Sequence, residues 1–208
     1  MKKKLLIATG FLSLFALWTV ALLFVDVAAI GPNASEVGFS SLNGFFHNLT
    51  GVHMALYVIT DWLGLVPLMV AMGFGIFGLT QWIRRRSLFR VDRNILVLGG
   101  FYILVMAAFL FFESFVINYR PILIQGFLEA SYPSSTTLLS MCVMPTAILQ
   151  LNERIHNPAL RKILTLAIAA FTAFMVIARM VCGVHWLSDI IGGALLSIGL
   201  IYLYKAFS

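Results

Sequence analysis

Three residue types that can do phosphorus or acyl chemistry stand at fixed intervals in "ARMVCGVHWLSDIIGG", residues 178 to 193: Arg179, His185 and Asp189. His185 and Asp189 are four apart at the expected start of a helix, so both leave one face and can meet. A carboxylate beside an imidazole fixes its tautomer and supports the positive charge that grows when the other ring nitrogen attacks an electrophile. His185 is therefore a candidate nucleophile and Asp189 its orienting partner. From the chain's nine Arg, four His and four Asp, roughly 0.003 chance occurrences of the Arg-x5-His-x3-Asp spacing are expected, so chance carries little weight.

The neighbours of this group identify the electrophile. Arg120-Pro121 follows the third apolar run, and Pro133-Ser134-Ser135-Thr136 opens the fourth. Two guanidinium forks match the oxygens of a phosphoryl group. Hydroxyls and backbone N–H groups at Ser134, Ser135 and Thr136 would sit at a helix N-terminus, where unpaired donors and the dipole favour an anion. Phosphoryl transfer needs mainly positioning and charge stabilisation, which these parts supply. Taken alone, Pro-Ser-Ser-Thr is a common helix opening.

The elements that must position these residues follow from composition. With 61% hydrophobic and 11% charged residues, the chain is too apolar for a soluble core and is read as an all-α integral membrane protein of one domain, residues 1 to 208. At about 20 apolar residues per span, six spans are expected: Leu5 to Ile30, Tyr57 to Ile83, Asn94 to Phe112, Ser134 to Leu151, Ile163 to Val181, and Val184 to Phe207. Lys2, Lys3 and Lys4 precede the first run as in a signal peptide. The uncharged stretch from Leu5 to Val25 exceeds a signal core, so it is read as a span. Residues 31 to 56 are too polar to span and too apolar for a free loop. Phe39, Phe45 and Phe46, mixed with Ser, Asn and His, predict one or two short helices lying in the outer interface. Pro145 predicts a kink or a turn in the fourth span. Cys142 and Cys182 lie in or beside apolar runs and form neither a disulfide framework nor a metal motif.

Charge sets the orientation. With a cytoplasmic N-terminus, all of the 14 basic residues except Arg120 and Arg179 fall on the inside, as the positive-inside bias requires. The two exceptions are the two arginines of the motifs. Cytoplasmic loops facing anionic lipid account for the net charge of +6, so nucleic acid is not an expected partner.

The segment from Glu113 to Asp189 resembles the three-part signature of the type 2 phosphatidic acid phosphatase family, relatives of the vanadium haloperoxidases. That signature reads Lys-x6-Arg-Pro, Pro-Ser-Gly-His and Ser-Arg-x5-His-x3-Asp. The resemblance covers the last four spans. It implies that Arg120 and Arg179 bind phosphate, that Ser134 and the backbone at Ser135 donate to it, that His185 forms a phosphohistidine and that Asp189 orients His185. It implies no metal or other cofactor. Three positions depart from the signature: Glu113 stands for its lysine, Ala178 for its serine and Thr136 for its second-motif histidine. In the family that histidine is the acid for the leaving alcohol, and a threonine hydroxyl cannot take over proton transfer near neutral pH. Two remedies stay open: a leaving group that needs less acid, such as the phosphate of an isoprenyl diphosphate, or another acid among Glu113, His47, His53 and Glu129. Asp61, near the outer end of the second span, is a further membrane-embedded acid.

The expected function is a lipid phosphatase acting on a lipid phosphate or isoprenyl diphosphate at the extracytoplasmic face of a bacterial inner membrane, with both termini cytoplasmic. The alternative is a lipid-phosphate binding or transport protein of the same fold that has lost turnover. The sequence carries no signal for oligomeric state.

Overall fold

A long apolar run in lipid can satisfy its backbone only from within, and it therefore winds into a helix. The computed structural model describes all 208 residues. It contains eight α-helices: α1 (Lys2–Phe24), α2 (Ser40–Thr50), α3 (Met54–Leu63), α4 (Leu65–Arg85), α5 (Arg93–Ser114), α6 (Ser135–Arg154), α7 (Pro158–Val181) and α8 (Leu187–Phe207). Five stretches are long and apolar enough to cross a membrane: α1, α3 with α4, α5, α7 and α8.

Two expected spans differ from the helices observed. The first ends at Phe24 rather than Ile30, because the chain turns at Asp26, whose φ is 49°. The Asp26 carboxylate then accepts hydrogen bonds from the Ser40 hydroxyl at 3.0 Å and the Ser41 N–H at 2.8 Å, satisfying the opening turn of α2. The second is divided at Gly64 into α3 and α4. Pro67, in the first turn of α4, has no N–H to offer the Leu63 carbonyl. A Cβ at Gly64 would lie 2.9 Å from the Asp61 carbonyl oxygen.

The expected fourth span, α6, is helical but too polar in composition to stand with the five. The reason is its location inside the bundle, packed on α4, α5, α7 and α8. Thr137, Ser140, Thr146 and Gln150 are all buried. Thr146 donates to the Cys142 carbonyl at 2.9 Å, and Gln150 donates to the Tyr204 hydroxyl at 2.6 Å. The helix is continuous through Pro145, so of the kink or turn expected there, no turn opens. Helices packed on all sides tolerate a proline that an isolated helix would not.

Helix α8 is the centre of the bundle, and α1 lies along it. Its small residues let neighbours approach closely. A Cβ on Gly192 would meet the Tyr132 ring at 2.4 Å, and one on Gly199 would meet Leu12 at 2.8 Å. Tyr132 cannot retreat. Its hydroxyl lies 2.7 Å from the Thr19 hydroxyl, its ring stacks on Phe15 at 6.1 Å, and Phe112 meets it edge-on at 6.0 Å.

The two ends of the bundle are chemically unlike. One holds the Arg85–Asp92 ion pair at 2.7 Å, the Arg154–Asn94 hydrogen bond at 3.4 Å, and a hydrogen bond from the Lys4 ammonium to the Lys205 carbonyl that ties the termini together. The other carries Arg120, Arg179, His185 and Asp189. An apolar side groove of about 550 Å³ between α4 and α5 is lined by Phe74, Gly75, Gly78 and Leu98 among others, and Arg120, Arg179, His185 and Asp189 take no part in it.

Gly192→Ala is expected to cost about 1–3 kcal/mol through overpacking against Tyr132. Gly75→Ala, whose methyl would meet nothing within 4 Å, is expected to leave stability unchanged or slightly raised. Thermal unfolding of the two variants in detergent checks the contrast.

Candidate active site

The link between α5 and α6 folds back on itself. Tyr119 bridges Ala130 in antiparallel fashion, the Arg120 N–H donates to the Glu129 carbonyl at 3.0 Å, and the Ser131 N–H donates to the Asn118 carbonyl at 2.9 Å. At its tip, Ile124 and Phe127 exchange backbone hydrogen bonds around Gln125 and Gly126, whose φ values are 51° and 86°. Two successive positive φ angles make the two-residue turn that suits a hairpin's twist, and glycine takes the second at no steric cost. Ile124 anchors the tip by packing on Cys182 and Val184 at the α7–α8 junction. This hairpin delivers four polar side chains to the site end: Asn118, Arg120, Glu129 and Ser131.

His185 and Asp189 meet there, with a third residue between them. His185 Nδ1 is 3.9 Å from Asp189 Oδ2, beyond hydrogen-bonding distance. The Ser131 hydroxyl fills the gap, 3.0 Å from His185 Nδ1 and donating to Asp189 Oδ2 at 2.5 Å. Asp189 also accepts from the Trp186 N–H at 2.9 Å, which caps the first turn of α8, and from Asn118 Nδ2 at 3.3 Å. His185 Nε2 is buried and has no partner.

The two arginines share one aromatic platform. Arg179, 1% exposed, donates to the Thr60 hydroxyl at 3.2 Å and lies 3.6 Å from the Asp61 carboxylate. Its Cζ stands 4.9 Å from the centroid of the Tyr57 ring, and that of Arg120 stands 5.8 Å from the same centroid. Arg120 Nε is 3.1 Å from Glu129 Oε2, a charge contact not aligned as a hydrogen bond. Arg120 Nε and Nη1 and Arg179 Nε are left buried without hydrogen-bond partners. Buried donors are ordinarily paired, and an acceptor-rich ligand would complete these three.

A small cavity of about 20 Å³ is lined by Arg120, Ser131, Ser135 and His185, with Glu113 at its wall. Of the residues singled out from the sequence, the structure thus brings Arg120, Ser135, His185 and Glu113 together, with Asp189 behind His185. Arg179 is joined to them through Tyr57. The Ser134 hydroxyl is turned to its own helix, accepting from the Thr137 N–H at 3.5 Å and the Thr137 hydroxyl at 3.1 Å as the α6 N-cap. Thr136 is buried on the first turn of α6 and does not line the cavity. His47 lies against the Trp186 ring at 5.5 Å, and burial pushes its pKa below the ordinary value, which leaves it a poor proton reservoir near neutrality. His53 Nε2 is 2.8 Å from the Thr50 carbonyl, which leaves that nitrogen committed to the α2 end.

Sequence reasoning missed Tyr57, Asn118 and Ser131. Tyr57 lies in a different apolar run from either arginine and has no motif. Ser131 stands two residues before Pro133, where only a hairpin returning over α8 would bring it to His185. No three His, Cys, Asp or Glu side chains converge as a metal-ligand group.

A bundle of membrane-length helices with a buried histidine, two buried arginines and unsatisfied donors at one end defines the class: a multi-pass membrane protein with a polar, cationic cluster at one end. The profile of the PAP2 superfamily matches residues 68–208, and the chain belongs to that superfamily. Among solved structures it is similar to one described as the first transmembrane PAP2 type phosphatidylglycerolphosphate phosphatase from Bacillus subtilis. That likeness has a TM-score of 0.55 and 20% identity, over 97% of this chain and 95% of that chain. A search of curated proteins gives no match. Tyr57, Thr60 and Asp61 precede the segment matched by the family profile, so this chain's support for Arg179 comes from outside it.

Tyr57→Leu removes the face under both guanidinium groups. At about 0.5–1 kcal/mol for each cation–π contact, affinity for orthovanadate, a phosphate-shaped probe, is expected to fall by about tenfold. Titration calorimetry on the detergent-solubilised protein measures it.

Proposed function

We propose that this protein is a membrane lipid phosphatase that hydrolyses a lipid phosphate or diphosphate monoester through a phosphohistidine on His185. The observation that carries the reading is the bare Nε2 of His185, buried in the same cavity as Arg120. In this reaction Nε2 attacks phosphorus while Arg120 and Arg179 hold the equatorial oxygens. The P–O bond to the leaving group breaks, and water then displaces His185 from phosphorus.

The proposal includes a topology. Helix α6 is the sixth crossing, shielded from lipid by its neighbours, and both termini are cytoplasmic. The basic end of the bundle faces inward by the positive-inside bias, which turns the site outward. Helix α2 lies in the outer interface. Its Ser40 and Asn43 are buried on the protein while Leu42, Phe45 and Leu49, at i, i+3 and i+7, are exposed as an apolar stripe. A bacterial inner membrane suits this arrangement.

The leaving-group proton is assigned to Glu113, the one carboxyl of the sequence-derived candidates that lines the cavity with His185. The second reading, a lipid-phosphate binder without turnover, draws on Thr136 and on the Glu129 carboxylate held against Arg120.

Phosphate release by purified protein decides between them. Wild type is expected to hydrolyse phosphatidate or an isoprenyl diphosphate, and His185→Ala to abolish it. Saturable binding with no release from either lipid would establish the second reading. Glu113→Gln is expected to slow phosphatidate hydrolysis by about 10²-fold or more, as for loss of a positioned general acid. It should slow isoprenyl diphosphate hydrolysis much less, because that leaving group departs without help. Equal losses on both lipids would remove Glu113 from the acid role.

A further inference from the structure

We propose that Ser131 is the positioning residue through which Asp189 acts on His185, so the orienting unit is Asp189–Ser131–His185 rather than a direct aspartate–histidine pair. This rests on the reading of His185 as nucleophile. The geometry comes first. Asp189 Oδ2 and His185 Nδ1 are 3.9 Å apart, and the Ser131 oxygen lies 2.5 Å from one and 3.0 Å from the other. All three side chains are buried, so no bulk water competes for the contacts.

Counting protons fixes the direction of the relay. A carboxylate only accepts, so the single hydroxyl proton of Ser131 is committed to Asp189. The serine oxygen then presents lone pairs to His185 Nδ1, which must carry the N–H that donates to it. The neutral ring holds one proton, so Nε2 is left with its lone pair, and Nε2 is the nitrogen without a partner. When Nε2 bonds to phosphorus and the P–O bond breaks toward the leaving group, the imidazolium keeps its proton on Nδ1. Its charge is stabilised through the serine oxygen by the carboxylate. Attack by water, with loss of its proton, breaks the P–N bond and restores the neutral ring.

The relay is held on both sides. The Trp186 N–H at 2.9 Å and Asn118 Nδ2 at 3.3 Å fix the carboxylate, and the Ser131 N–H bonds the Asn118 carbonyl at 2.9 Å. The hairpin arms therefore set the tautomer of His185 as well as the place of Arg120.

The test reads the tautomer directly and does not depend on turnover. In protein labelled with ¹⁵N-histidine, the His185 signals, assigned by their loss in His185→Asn, are expected to show a protonated Nδ1 and a bare Nε2. Ser131→Ala is expected to give mixed or reversed tautomers. A wild-type ring protonated on Nε2, or an unchanged tautomer in Ser131→Ala, overturns the proposal. In kinetics, Ser131→Ala is expected to lower kcat by about 10- to 100-fold, the scale seen when a group orienting an imidazole is removed, with KM within about twofold. Combining it with Asp189→Asn should add little to the larger single loss, because the two act in series. Unchanged kcat, or fully multiplicative losses, overturns it too. If Ser131→Ala does not elute as a monodisperse species, Ser131→Cys, close in volume but a poor acceptor, carries the same comparisons. Absence of phosphate release by wild type with the relay tautomer present counts against the phosphatase reading alone.

Discussion

Two guanidinium groups buried at one end of an apolar bundle set the constraint on which the rest of the structure depends. Arg179 is 1% exposed and Arg120 is 9% exposed. A cation taken out of water is tolerated only if other groups replace its solvation. Asp61, Thr60 and the face of Tyr57 do this for Arg179, while Glu129 and the same face do it for Arg120. The compensation is incomplete, since N–H groups on both arginines stay unpaired. An oxyanion would complete it, as the proposed phosphoryl chemistry requires.

Meeting that requirement explains features that otherwise look unrelated. Helix α3 carries Tyr57, Thr60 and Asp61 up to α7, and the break at Gly64 separates its course from that of α4. The hairpin from Asn118 to Ser131 folds back over the α7–α8 junction, anchored by Ile124. Because one short ribbon holds Arg120, Glu129, Asn118 and Ser131, a shift in its register would move the arginine and the histidine's hydrogen bond together. The Gln125–Gly126 turn fixes that register.

The helices were legible because apolar length dictates them, and His185, Asp189 and the two arginines because their spacing survives in one dimension. Three kinds of information were not. The polar face of α6 looked like part of an ordinary span, since composition does not say whether a serine faces lipid or another helix. Ser134 looked like a phosphate donor from its place in the motif, and that place did not show that its oxygen also accepts from Thr137 as the α6 N-cap. Tyr57 and Ser131 matter only through tertiary contacts across 122 and 54 residues, which no local pattern encodes.

The substitutions at Glu113 and Thr136 make one argument when taken together. A lysine at the first position would add a cation to a site that already holds two, and a histidine at the second would supply a proton. Here the cation is replaced by a carboxyl and the proton donor is lost. The small cavity that Glu113 shares with Arg120 and His185 does not include Thr136. Under the phosphatase reading, the group able to pass a proton to a leaving oxygen therefore stands at the first motif position rather than the second. The exchange of residue at one position would then offset the loss of histidine at the other.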